Sequence, residues 1–244
     1  MSRRAKFFFS HLLISFFIAL LFIAIVFLFW YPFPLAKAVG VTYIFLMLIA
    51  IDVVVGPILG LFVYKEGKKT LKLDLTVIIL LQALALVYGL YNIAKGRPVW
   101  IVQNEDRFEL VRYNDLESDG IEKADSQFQE PSWLKPQFVT IKQAKTIADQ
   151  NKLVFEAVMS GTSLSMRPEY YTSLNLENRK MIENARNLKA LLEFNESEKV
   201  QKILGKYSEA DAWLPLKATS VDMTVLINKE NGEVVKIVDL RPWS

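Results

Sequence analysis

The chain has 244 residues, 52% of them apolar, with no cysteine and a single histidine, His11. Disulfides, thiolate catalysis, iron–sulfur clusters and cysteine-type zinc sites are therefore excluded, and histidine-based nucleophile pairs have no material in the polar half. Residues 1–97 hold ten Lys/Arg against three acids (Asp52, Glu66, Asp74), whereas 98–244 hold nineteen against twenty-three, so the net +3 divides into +7 and −4.

The basic half is also the apolar half. Phe7–Ala36 contains no Asp, Glu, Lys or Arg, and Leu12–Trp30 is almost purely apolar. About 20 apolar residues cross a bilayer core, so a transmembrane helix is expected here. Arg3, Arg4 and Lys6 resemble the start of a signal peptide, and Ala36-Lys37-Ala38 has the spacing of a cleavage site. The apolar run is longer than the roughly 7–15 residues of a signal sequence, which favours a retained helix. The second run, Ala38–Tyr64, has one charge, Asp52. Pro57 permits either a re-entrant hairpin or a kinked spanning helix, and spanning helices tolerate proline. The third run is Leu75–Ala94, interrupted by Gln82. The expected spans are thus about 7–30, 38–64 and 75–94, in a membrane domain of residues 1–97.

Flanking charge predicts orientation. Arg3, Arg4, Lys6, Lys65, Lys68, Lys69 and Lys72 lie on one side, and Lys37, Lys95 and Arg97 on the other. Seven against three puts the N-terminus and the 65–72 loop in the cytoplasm and residues 98–244 outside.

Residues 98–244 carry no further long apolar run and read as one aqueous α+β domain. Pro98–Gln103 and Arg107–Tyr113 read as a strand hairpin, and Asp115–Pro136 as linker. Thr140–Asn151 and Leu174–Phe194 show helical spacing, the latter with a stripe of Met181, Ile182, Ala185, Leu188 and Leu192. Val200–Leu204 reads as a short helix stopped by Gly205. Val221–Asn228 and Glu233–Leu240 flank Asn231-Gly232, a strong hairpin signal. No Lys/Arg run stands beside aromatics, so nucleic acid is not an expected partner.

The search for chemistry returns little. Ser132-Trp-Leu-Lys135 has Ser and Lys three apart, but Pro131 and Pro136 bracket it and no Lys-Thr-Gly follows. Ser160-Gly161-Thr162-Ser163 lacks the lysine of a phosphate loop. Asp52 and Asp74 lack the Gly-x-Gly-Asp context of intramembrane aspartyl proteases. No catalytic residue, metal ligand or cofactor site is predicted.

One constellation remains. Asp52, Gly56 and Gly60 are four apart and share a helix face with Pro57 beside them. Gly56-x-x-x-Gly60 allows close helix approach. An aspartate deep in a span costs about 2.5–3.5 kcal/mol on insertion scales, so it faces protein or water. Two readings are open: internal packing, with Gln82 or His11 satisfying Asp52, or a docking face for another protein's helix.

Ordered motifs along the chain complete the reading. These are Trp30-Tyr31-Pro32, Asp52-x-x-x-Gly56-Pro57, Gly67-Lys68 with Leu73-x-Leu75, and Leu81-Gln82-x-x-Ala85-Leu86-x-Tyr88-Gly89. After them come Arg97-Pro98-Val99, Asp106-Arg107-Phe108, Trp213-Leu214-Pro215-Leu216, Asp222-Met223-Thr224-Val225-Leu226, Gly232-Glu233-Val234-Val235 and Pro242-Trp243. The set resembles the TfpX/TfpZ family of type IV pilin accessory proteins; residues 114–170 have no counterpart in it. The resemblance implies a non-enzymatic, chaperone-like protein of the bacterial inner membrane that assists a cognate type IV pilin, alone or with other pilus-assembly proteins. The competing readings are a membrane-anchored envelope sensor or ligand-binding module, and an enzyme acting on pilin or glycan.

Overall fold

The computed structural model describes residues 1–243 except 145, 149–150, 152, 154, 156–158, 160 and 175–178. It divides into two compact units. One comprises Met1–Ala36 and Gly40–Gly96; the other comprises Lys37–Val39 and the chain from Arg97 onward.

The first unit is helical. Ser2 caps α1 (Arg3–Ile25), its hydroxyl accepting from Ala5 N at 3.2 Å. A π-helical turn, Val26–Trp30, prolongs it. The single turn α2 (Leu35–Val39) leads to Gly40, whose φ of 80° allows the reversal into α3 (Val41–Val63). After a loop containing Gly67, α4 runs Leu71–Lys95. The three long helical stretches, Arg3–Trp30, Val41–Val63 and Leu71–Lys95, have 28, 23 and 25 residues and are apolar enough to cross a membrane. At 1.5 Å per residue even the shortest exceeds a core of about 30 Å. Pro57 lies inside an unbroken α3, so a spanning helix describes this run better than a hairpin.

α3 packs against both neighbours. Its buried residues Val41, Phe45, Ile49, Gly56, Pro57 and Gly60 recur at helical spacing. Phe27 meets Phe45 edge-on, with ring centroids 5.6 Å apart. Arg4 Nε donates to Leu61 O at 2.8 Å, closing the antiparallel α1–α3 pair at one end. Tyr31 Oη donates to Ile93 O at 2.7 Å and ties the end of the first helical stretch to α4.

The second unit is α+β. β1 (Pro98–Asn104) and β2 (Arg107–Arg112) form the expected hairpin, with Glu105 at φ 54° in its turn. β3 (Gln137–Ile141) runs parallel to β1, and β4 (Tyr171–Ser173) pairs antiparallel with β3. β6 (Ala212–Lys217), β7 (Met223–Asn228) and β8 (Glu233–Val238) form an antiparallel meander. The order is β4-β3-β1-β2-β6-β7-β8, with the two-residue β5 (Arg186–Asn187) also on β6. β6 divides its pairing. Ala212 and Trp213 face β5, while Leu216 and Lys217 run parallel to Phe108 and Glu109 of β2. That short parallel contact joins the two hairpins into one curled sheet.

Among the described residues, two apolar clusters help fill this unit. In one, Trp100, Phe128 and Tyr171 meet in T-shaped pairs 5.7–6.0 Å apart. The other gathers Leu191, Val200, Trp213, Leu226, Val238 and Leu240.

Three expectations change here. Residues 115–136 do not behave as linker: α5 (Ser118–Lys123) and α6 (Ser126–Gln129) occupy them, and Ala124 and Phe128 are buried. The alternation visible to sequence is too short in these one-turn helices to register as a period. Leu174–Phe194 is not one helix. Its described part is a helix at Arg179–Asn184, then β5, then a 3-10 segment at Leu188–Glu193. The break is stabilised locally. Asn187 Oδ1 accepts from Lys189 N at 2.9 Å, and Asn187 O accepts from Trp213 Nε1 at 2.9 Å. Leu191 is thereby buried and Leu192 turned out. Of the Thr140–Asn151 helix, Thr140 and Ile141 belong to β3, and several further positions lie outside the described residues. The helix ending at Gly205 and the Asn231-Gly232 hairpin match expectation: the helix spans Ser197–Leu204, and Gly232 has φ 69°.

The residues Lys37–Val39 are held by this unit. Ser220 N and Val221 N both donate to Ala38 O, at 2.9 and 3.1 Å, and Lys37 Nζ meets Asp239 Oδ2 at 2.7 Å. Burial alone would raise Asp239. The Lys37 hydrogen bond and the charges of Lys199, Arg241 and Lys37 together outweigh burial and hold it below the usual carboxylate range. A depressed folded-state value stabilises above the unfolded value, about pH 4, and that contribution fades as pH falls through the folded value. Acid unfolding of the detergent-solubilised chain should therefore steepen below about pH 4, and Asp239→Asn should flatten that limb; an unchanged limb would remove Asp239 as its source.

Candidate functional site

The predicted site residues Asp52, Gly56, Pro57 and Gly60 all lie on α3, and Gly56, Pro57 and Gly60 are buried. The structure brings helices of the same chain onto the two glycines. A Cβ at Gly56 would stand 1.8 Å from Gln82 Oε1, and one at Gly60 would stand 2.8 Å from Phe7 Cε1 and 3.6 Å from His11 Nδ1. The glycine spacing thus serves close approach of α4 and α1. Gly89 plays the reciprocal part on α4, where an added Cβ would fall 2.4 Å from Leu48 Cδ2.

Gln82 is the polar pin of the unit. Its Nε2 donates to Ser15 Oγ at 3.2 Å and to the Asp52 backbone carbonyl at 2.9 Å, so one amide bridges α1, α3 and α4. Ser15 is 4% exposed, so its hydroxyl depends on protein partners. Sequence reading reached Gln82 as a possible partner of Asp52 and missed Ser15, because a lone serine in an apolar run gives no signal of what it faces.

Asp52 is half-buried. Beside it a groove of about 210 Å³ opens between α3 and α4, walled by Ile51, Val55 and Leu59 on one side and Ile78, Leu81 and Ala85 on the other. Asp52 and Gln82 border this groove, but the surface it offers is apolar. Chemically it can take hydrocarbon: a lipid tail or the apolar ridge of a helix.

In the α+β unit a dense polar cluster centres on Glu109. Ser163 and Ser165 both donate to Glu109 Oε2, at 3.0 and 2.6 Å, and Asn104 donates to Glu109 Oε1 at 3.3 Å. Tyr171 Oη donates to the Ser165 carbonyl. Burial, and secondarily the charges of Glu169 and Glu109, hold the Tyr171 phenol protonated. These bonds lock the 163–166 loop to β2. Ser132 and Lys135 sit in a bend rather than on a helix, so they do not share one face. Among the described residues no three His, Asp or Glu side chains converge on a point where a metal ion could sit.

Comparison with known proteins gives a consistent neighbourhood. The profile of a family described as "Fimbrial assembly protein FimB" matches residues 1–40. Two fimbrial assembly proteins of Dichelobacter nodosus, of serogroups I and E1, are each 29% identical over 240 residues, covering 94% of this chain and 92% of theirs. A third from the same organism, of serogroups C1 and C2, is 36% identical over 117 residues, covering 47% of this chain and 88% of its own length. No solved structure matches the chain.

Proposed function

The chain belongs to the fimbrial assembly protein FimB family, and from that premise we propose that it is a membrane-embedded, non-catalytic assembly factor of the TfpX/TfpZ type that holds a type IV pilin before incorporation into the pilus. Membership implies a role in pilus assembly; the pilin and the manner of holding it are our reading. The observation that carries it is the apolar α3–α4 groove. A pilin waiting in a bilayer must keep its apolar N-terminal helix from pairing prematurely. A groove between two helices gives that helix van der Waals contact without demanding charge, which is how helices associate in lipid. Asp52 at the groove's edge would sit near the polar start of such a helix, while Gln82 keeps the groove's two walls in register. The α+β unit would then lie in the periplasm, beside the pilin's own head domain.

The test uses the absence of cysteine. Single cysteines at Val55 and Leu81, which are 43% and 63% exposed, should crosslink to a cysteine in the apolar helix of the co-expressed pilin. Crosslinks confined to the α+β unit would overturn the groove as the binding site. Orientation is tested separately. A reporter active only outside the cytoplasm should work when fused after Ser244 and be silent when inserted beside Lys68, following the seven-to-three excess of flanking Lys/Arg. Activity at Lys68 would reverse the topology.

A further inference from the structure

The turn between Pro131 and Pro136 exposes two large apolar side chains that neither core cluster uses: Trp133 is 66% and Leu134 is 55% exposed. The turn is ordered from within. Ser132 Oγ accepts from Leu134 N at 3.2 Å, and a proline stands at each end. The Trp133 ring lies over the guanidinium of Arg97, with Cζ 4.4 Å from the ring centroid. Arg97 is 2% exposed and stacks also on Tyr113, at 4.8 Å. Its carbonyl accepts from Tyr113 N at 2.9 Å. The indole is thus parked on a fixed, buried cation.

Arg97 is two residues beyond Lys95, the last residue of α4. Only Gly96 separates the two in the chain, so the residue on which the indole rests belongs to the segment that leaves α4 directly. The uncharged run Leu75–Ala94 has 20 residues, about 30 Å, enough to fill the core by itself, so a crossing α4 delivers its end at Lys95 to the headgroup layer. An indole and a leucine side by side, followed by exposed Lys135, are the residue types that settle at that layer: aromatic and apolar groups at the boundary, ammonium outward.

We propose that the Trp133–Leu134 turn is a lipid anchor that enters the headgroup–acyl boundary of the leaflet from which α4 emerges. The contact is independent of pilin and of which side of the membrane the α+β unit occupies; it rests only on α4 crossing the bilayer. It gives the Arg97 stack a purpose. The cation sets the ring's position, and the two prolines keep the turn from collapsing onto the domain.

The full chain, reconstituted in vesicles of phosphatidylethanolamine and phosphatidylglycerol, provides the test, since any introduced cysteine is its only one. An environment-sensitive fluorophore on Leu134→Cys should be quenched by lipids carrying a spin label near the headgroup end of the acyl chain. Quenching should remove roughly half of the signal or more, as expected for a group 5–10 Å into the boundary. Lys135→Cys is a second site in case the first label distorts the turn, and Trp133→Ala in the labelled background should reduce the quenching at least twofold. A label on Leu84→Cys, 65% exposed near the middle of α4, reports separately on whether that helix spans. Quenching at Leu84 by deep spin labels without quenching at residue 134 or 135 would overturn the anchor and leave the span intact. Absence of quenching at Leu84 would remove the span, and the anchor with it.

Discussion

Trp213→Ala should unfold the α+β unit of the full-length protein or leave it marginal, with a loss of about 3–5 kcal/mol, the range for deleting a buried aromatic. Trp213 is fully buried. Its Nε1 donates to Asn187 O at 2.9 Å, and the Arg186 guanidinium lies 5.3 Å from the ring centroid. Removing the indole opens a cavity in the second core cluster, leaves the Asn187 carbonyl without its donor, and loosens β5. It also loosens β6, the strand that links the β1–β2 hairpin to the C-terminal meander through two residue pairs. A small domain has about 5–15 kcal/mol in all, so this single change removes a large part of it. Limited proteolysis and chemical denaturation of the solubilised chain would show it. Leu192→Ala is the matched control. A continuous helix over Leu174–Phe194 would bury Leu192 and make its loss cost about 2–5 kcal/mol. In the observed fold Leu192 is 46% exposed, and the change should stay within about 0.5 kcal/mol. A large effect at Leu192 with a small one at Trp213 would refute this part of the fold.

Gly56→Leu should disrupt the helical unit itself rather than only its dealings with a partner. The new side chain would have to occupy the space of Gln82 Oε1, 1.8 Å from the ideal Cβ position. The Gln82 amide would be driven off both Ser15 and the Asp52 carbonyl. Overpacking costs about 1–3 kcal/mol, and interhelical hydrogen bonds in bilayers average about 0.6 kcal/mol each. Together, at about 2–4 kcal/mol, these weaken assembly by about one and a half to three orders of magnitude, at about 1.4 kcal/mol per factor of ten. Gly60→Leu should act the same way through Phe7, more mildly, because the end of a ring can shift. The expected readout is lower accumulation and faster degradation of both variants in the membrane, with or without pilin. If both accumulate normally and only pilin retention falls, the glycine face is a docking surface after all, and the packing by Gln82 and Phe7 is not what holds the unit together. Variants lining the groove, such as Val55→Ala, leave these contacts alone and should change pilin retention without changing accumulation.

The three long apolar helices, the α+β character of the remainder and the two terminal hairpins were legible in the sequence because each is local. A run of apolar residues defines a spanning helix by length, and Asn231-Gly232 defines a turn by backbone conformation. The same local logic misled at Leu174–Phe194. There a real helical stripe was overridden by the burial of Trp213 from a strand 26 positions on, whose indole takes the carbonyl of Asn187. It was silent at Gln137–Ile141, because a strand paired in parallel with a distant segment has no tight turn beside it to announce it, and at Ala212–Lys217, where Pro215 reads against a central strand and the connection to β7 carries no two-residue turn signal. At the candidate site the spacing Asp52, Gly56, Gly60 showed that something approaches α3 closely, but not what. Small residues permit contact with any helix that arrives, and only the tertiary structure decided that α1 and α4 arrive at the glycines and that an apolar groove bordered by Asp52, Gly56 and Gln82 opens between α3 and α4.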